Sequence, residues 1–293
     1  MKKRVITGAC FTALLLFCIF AGKPAMLALL SAAMIRSFFE MYRAIRAKGI
    51  EPVRWAGYVF CGIVIASETV ELILGRDLNL TIFALAVGMM ATMIRLVLHG
   101  EIAVESMMAT VFPILYPGVF YLLMMEMLKL GSAAAFVVAF VLIFFSASIC
   151  DAFALFSGML FGKHKLAPIL SPKKTVEGAI GGWIACILFS MAVPAIVRLF
   201  LPHDTALLLQ NDGILYRIAD LNAMPPRWAF AILGAVIGVL TQIGDLVASM
   251  IKRHFGVKDF GHLLPGHGGV MDRLDGILFC VPAVWLFFKI LQH

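Results

Sequence analysis

Charge is what this 293-residue sequence has least of. Asp, Glu, Lys and Arg make up 14% of it against 62% hydrophobic residues, a balance that excludes a soluble globular domain of this size. Paired cysteines are missing too: Cys10, Cys18, Cys61, Cys150, Cys186 and Cys280 lie in or at the ends of apolar runs, and no two form a CxxC pair. That excludes a disulfide frame and a zinc site and leaves them as small core residues. No hydrophilic stretch is long enough for a separate soluble domain, and low-complexity tracts and internal repeats are absent. One integral membrane domain is expected over residues 1–293, with amino-terminal helices over 1–130 and the chemistry-bearing helices and cytoplasmic loops over 131–293.

What is abundant is apolar sequence of spanning length. Nine segments fall at about 5–21, 25–39, 55–74, 78–98, 107–128, 133–155, 178–201, 227–247 and 274–291, which predicts an all-α polytopic membrane protein. The start, MKKR before an apolar run, has features of a secretory signal peptide. Gly22, Lys23 and Pro24 read instead as a tight turn into the next segment, so the first one is expected to be retained. The net charge of +7 would point to nucleic acid in a soluble chain; here the basic residues report topology. With the amino terminus in the cytoplasm, seventeen of the twenty-four Lys and Arg residues fall on the inner side, as the positive-inside rule requires.

Four polar connections interrupt the apolar pattern, at about 40–54, 156–177, 202–226 and 248–273. The third has Asp204, Asp212 and Asp220 with Pro225 and Pro226 and reads as a surface loop. The first mixes Arg43, Arg46, Lys48 and Arg54 with Met41, Tyr42 and Ile45, the pattern of an interfacial helix on anionic lipid or of a plain positive-inside loop. The second and fourth share the cytoplasmic face, so they can build one site.

The fourth is the densest. From Ser249 to Asp275 it gathers ten charged or histidine side chains and five glycines between two long apolar runs, and charge kept beside a bilayer is a functional signal by default. Asp272 and Asp275 are three apart, on one face of a helix that begins there. With Asp245, at the inner end of the eighth segment, they offer three oxygen donors suited to Mg2+; the competing reading of Asp272 and Asp275 is helix capping. Between them, Pro265, Gly266, His267, Gly268 and Gly269 form a turn whose amides can approach a phosphate. Lys252, Arg253, Lys258 and Arg273 flank it with positive charge for a triphosphate, and His267 is as well read structurally as catalytically. The second connection has Ser171, Lys173, Lys174 and Thr175 just before an apolar helix, where an anion is favoured. Thr175 is expected to cap that helix, and Glu177 to support the cap or reach the metal. Asp151 precedes this loop closely enough to join it, whereas Arg95 has less claim. Glu68 and Glu71 share a helix face toward the outer side and are left out of the site.

These two blocks resemble the phosphatidate cytidylyltransferase, or CDP-diacylglycerol synthase, family. The carboxy-terminal signature of that family is met from Ser249 to Asp275, and SPKKTVEG at 171–178 is similar to a second family block in the expected order. The chain departs from the family at Asp151-Ala152-Phe153-Ala154-Leu155, where Asp-Thr-Gly-Ala-Tyr or similar is usual, and at Ala248-Ser249, where Glu-Ser is usual.

The resemblance implies a multi-pass protein of the inner, cytoplasmic membrane that converts phosphatidate and CTP to CDP-diacylglycerol and pyrophosphate on the cytoplasmic side. It implies Mg2+, leaves a second cation such as K+ open, suggests a homodimer and involves no nucleic acid. On this reading Asp245, Asp272 and Asp275 hold metal and Ser171, Lys173, Lys174 and Thr175 meet phosphates, with Lys174 also counted as catalytic. Lys252, Lys258 and Asp259 hold the nucleotide. Two rivals remain, a CTP-dependent kinase of a lipid alcohol, which needs a base for the hydroxyl, and a transporter of an anionic solute, which needs charges along a path to both faces.

Overall fold

Gly22, at φ 93°, turns the chain between its first two helices, α1 (Lys2–Ala21) and α2 (Lys23–Ala47), and Pro24 stands in the first turn of α2. Glycine supplies the left-handed conformation and proline the preset helical φ, so the expected tight turn is formed. The computed structural model describes residues 2–75, 80–98, 104–130, 133–200, 227–264, 266 and 268–292; the expected surface loop at 202–226 lies outside them. The remaining α-helices among the described residues are α3 (Arg54–Leu74), α4 (Thr81–Leu98), α5 (Val104–Pro113), α6 (Val119–Glu126), α7 (Ala133–Phe161), α8 (Val176–Phe200), α9 (Arg227–His254) and α10 (Met271–Gln292). The one sheet among the described residues is an antiparallel hairpin of β1 (Lys165–Ala167) and β2 (Ser171–Thr175). The protein is all-α and polytopic. Among the described residues, seven helical stretches are long and apolar enough to cross a membrane, and shorter apolar helices lie at Thr7–Ala21 and Phe83–Leu98.

The chain divides into two compact units. The first holds residues 1–129 and 251–274, the second 130–250 and 275–293. The stretch 251–274 is thus grouped with the amino-terminal helices.

In the first unit α2 runs eight residues past the apolar segment read from hydropathy, with Glu40 and Tyr42 buried and Arg43 and Arg46 exposed on the added turns. Met41, Tyr42 and Ile45 are at most 1% exposed, so residues 40–47 turn their apolar face into the unit instead of lying on lipid. Tyr42 donates to the carbonyl of Thr110 (3.1 Å), the amide of Val53 donates to Thr110 Oγ1 (2.7 Å), and the Ser37 and Tyr121 hydroxyls pair at 2.8 Å. These bonds tie α2 and the start of α3 to α5 and α6 in an apolar setting where an unpaired hydroxyl is costly. The span from Val104 to Lys129 is broken at Pro113 and Pro117 into α5, a wide turn at Ile114–Gly118, and α6. Proline removes the hydrogen bonds a continuous helix would need there.

In the second unit α8 lies directly on α7. A Cβ at Gly178 would come within 2.6 Å of the Ala154 carbonyl, and one at Gly182 within 2.5 Å of the Cys150 carbonyl. Small residues four apart let two backbones meet where hydrophobic driving force between helices is lacking. α9 joins them through Trp183 Nε1 to the Ala235 carbonyl (2.9 Å) and Gln242 Nε2 to the Ala179 carbonyl (3.0 Å).

Candidate active site

The hairpin of the second unit hangs from the start of α8. Thr175 Oγ1 accepts from the amide of Gly178 at 3.2 Å, so the expected cap is formed. Glu177 accepts from the amides of Lys163 (3.0 Å) and His164 (3.2 Å) and contacts His164 Nδ1 at 2.6 Å. Its carboxylate closes the loop onto the helix end, which a helix N-terminus favours. Held this way, β2 carries Lys174 to Asp245 of α9, and the two form an ion pair with side chains 26% and 30% exposed. Ser171 and Lys173 sit on the same strand, Lys173 exposed and Ser171 half-buried. Asp275 is buried at 8% exposure and accepts at Oδ1 from the amide of Gly276 (2.8 Å). Gly244 packs against it, since a Cβ there would lie 2.8 Å from the Asp275 carbonyl, and that puts the Asp245 turn beside the Asp275 turn.

A groove of about 340 Å³ runs along the same helices, lined by Leu166, Val176, Ile180, Trp183, Ile243 and Leu246 among others. Its walls are apolar, and residues on either side of Asp245 line it.

In the first unit the polar stretch is wrapped around Asp272. Oδ2 accepts from the amides of Phe260 (2.8 Å), Gly269 (2.9 Å) and Gly261 (3.3 Å), and Oδ1 pairs with Lys252 Nζ at 3.0 Å. Lys252 also stands 5.3 Å from the centre of the Phe260 ring, a cation over an aromatic face. The Gly269 amide, expected to face a phosphate, is thus spent on Asp272. The turn closes through the amide of Leu264 to the Gly268 carbonyl (2.9 Å), with Gly266 and Gly268 at φ 78° and 82°. Pro265 and His267 lie outside the described residues. Arg253, Lys258 and Arg273 are exposed and Asp259 is half-buried. Of the three expected metal ligands, Asp272 belongs to the first unit and Asp245 and Asp275 to the second.

Two groups were not anticipated. Glu40 of α2 is fully buried and accepts from the amide of Met271 (2.9 Å) and from Arg36 Nε (3.0 Å), while Arg43 donates to the Phe260 carbonyl at 2.6 Å. The sequence signal was the Arg36/Glu40 spacing of four in an otherwise apolar helix. At the other end of α3, Glu68, Glu71 and Glu126 bring carboxylate oxygens within 4.8 Å of one another, spacing suited to a metal ion. The ammonium of Lys129 lies among them, 2.6 Å from Glu126 and 3.5 Å from Glu68, and pairs with Glu71.

The model of the Cytidylyltransferase family matches residues 2–291. The chain is 34% identical over 151 residues to a phosphatidate cytidylyltransferase of Thermotoga maritima, covering 52% of this chain and 49% of that one. It is 40% identical over 134 residues to the protein of that name in Staphylococcus saprophyticus, covering 46% and 42%, and 39% identical over 137 residues to that of Brucella melitensis, covering 47% and 42%. The chain thus spans about half the length, or less, of the curated relatives it matches.

Proposed function

The chain belongs to the cytidylyltransferase family, and from that membership we propose that it transfers CMP from CTP to phosphatidate, giving CDP-diacylglycerol and pyrophosphate. The observation that carries the reading is the Lys174–Asp245 pair. A lysine on the SPKKTVEG strand, a third or less exposed and held by one carboxylate, is the kind of cation that exchanges its partner for a phosphate. The apolar groove beside Asp245 suits the acyl chain of a lipid whose phosphate meets Lys174.

The chemistry asks little covalent help of the protein. A phosphate monoester, whose second pKa is about 6, is largely dianionic at neutral pH and is itself the nucleophile. Its oxygen attacks the α-phosphorus of CTP; a new P–O bond forms, and the bond to the bridging oxygen breaks, its electron pair leaving with pyrophosphate. Lys174, Lys173, Ser171 and Thr175 neutralise and orient the phosphates. Lys252, Arg253, Lys258, Asp259, His267 and Arg273 hold the nucleotide.

Asp245, Asp272 and Asp275 fit Mg2+ by donor chemistry. All are carboxylates, the hard oxygen donors this ion takes, and the Asp272 oxygen toward Lys252 accepts no backbone amide among the described residues. Mg2+, when bound, supplies charge neutralisation on the transferring group. The loop lysines favour the cytoplasmic face of the inner membrane, and we carry a homodimer as the assembly.

The test is to incubate the purified chain with phosphatidate, labelled CTP and Mg2+. Labelled lipid and pyrophosphate in equal amounts are expected; no labelled lipid would overturn the reading.

A further inference from the structure

Glu40 stands 231 residues from Met271 in the chain, yet their contact is direct. Met271 opens α10, so its amide lacks an intrahelical acceptor and carries the positive end of the helix dipole. Glu40 Oε2 satisfies that amide at 2.9 Å while Oε1 is held by Arg36 at 3.0 Å. The same carboxylate fills the space beside two glycines: a Cβ at Gly261 or at Gly269 would lie 2.5 Å from Glu40 Cδ, well inside contact distance. From their other side, the amides of these two glycines donate to Asp272 Oδ2. Glu40 and Asp272 therefore grip the same two residues. Filling that space needs no charge, since a buried Met or Leu would do it; a fully buried carboxylate is chosen for what it binds.

We infer that Glu40 is a positioning residue: it sets Gly261, Gly269 and the first amide of α10, and so aims the Asp272 carboxylate at Lys252. The inference rests on the proposed cytidylyl transfer for its effect on rate, but not for its effect on the segment 260–272. Glu40 touches no substrate. It links α2, which carries none of the residues assigned to the reaction, to the signature that does.

The experiment compares Glu40→Ala, Glu40→Gln, Gly269→Ala and the double variant Glu40→Ala/Gly269→Ala in the full-length purified chain. Turnover and hydrogen–deuterium exchange are both read. Glu40→Ala is expected to lower kcat by about a hundredfold, as a misplacement near 1 Å does, with KM for phosphatidate within about twofold. Glu40→Gln keeps an acceptor for Met271 and the side-chain volume, and is expected to stay within about fivefold of wild type. Gly269→Ala clashes with Glu40 and loses activity alone, but in the double variant the clash is gone, so the losses do not multiply. Exchange rises over 260–272 in Glu40→Ala and Gly269→Ala and stays unchanged in α7.

Unchanged exchange over 260–272 in Glu40→Ala overturns the inference, as do losses that multiply in the double variant. If wild type makes no CDP-diacylglycerol, the function reading fails and exchange alone decides the positioning role. Should Glu40→Ala not accumulate as folded protein, Gly269→Ala carries the test, and unchanged exchange there overturns it.

Discussion

Asp272 and Asp245 are the same carboxylate, each paired to a lysine, yet the two pairs are built for different work. Asp272 is 5% exposed and Lys252 15%, and three backbone amides converge on Asp272 besides the ammonium. Asp245 and Lys174 are 30% and 26% exposed and bind one to one. The Asp272 oxygen that satisfies three amides, Oδ2, cannot change partners without unmaking the loop around it, because each abandoned donor would be left unsatisfied. A partly exposed pair gives up little when a phosphate replaces one member. The first is a fixed point and the second an exchangeable one.

The sharpest way to break that comparison is at the fixed point. Asp272→Asn and Asp275→Asn are each expected to lower CDP-diacylglycerol formation by about 10³-fold or more, with the protein still inserted in membranes. Only Asp272→Asn should also raise deuterium exchange over residues 260–269, because Asn offers one acceptor oxygen where Asp272 gives Oδ2 to three amides and Oδ1 to Lys252. Wild-type turnover in Asp275→Asn would remove it from the metal set, and unchanged exchange in Asp272→Asn would make it no more fixed than Asp245.

The exchangeable pair gives the next largest effect. Lys174→Met is expected to cost about a hundredfold in kcat/KM while changing thermal stability by no more than about 1 kcal/mol. Lys252→Met, which leaves Asp272 buried without its cation, should lower both. Paired thermal melts and steady-state kinetics separate them. Equal destabilisation by the two changes would erase the distinction.

Much of the fold and of the polar stretches was legible in the sequence, whereas the two lysine–aspartate pairs were not, since each joins residues far apart in the chain. The apolar segments, the turn at Gly22, the cap at Thr175 and the charged stretch from Ser249 to Asp275 follow from composition and local chemistry, which act over a few residues. Glu40 did not follow, because hydropathy ends a span at its first charges and cannot say which distant amide a buried carboxylate will meet. Glu177 was expected at the cap or the metal; its oxygens hold the backbone of Lys163 and His164, a loop closure that needs the hairpin to exist before it can be read.

Thr175 offers the smallest effect and the finest division between holding the scaffold and meeting the substrate. Its hydroxyl accepts from the amide of Gly178, and a cap of this kind contributes about 1 kcal/mol. The accepted bond leaves the hydroxyl hydrogen available to donate, which a phosphate oxygen would take. Thr175→Ala removes both functions and Thr175→Ser keeps both, since serine caps as well as threonine does. The expected outcome for Thr175→Ala is a drop of about fivefold in kcat/KM, carried by KM for CTP, with a melting loss near the size of one cap, and for Thr175→Ser a return to wild type in each. A melting loss with unchanged KM for CTP would leave Thr175 with the helix alone. The phosphate contact of β2 would then fall to Ser171 and the two lysines, and the exchangeable side of the comparison would narrow to Lys174 and its strand neighbours.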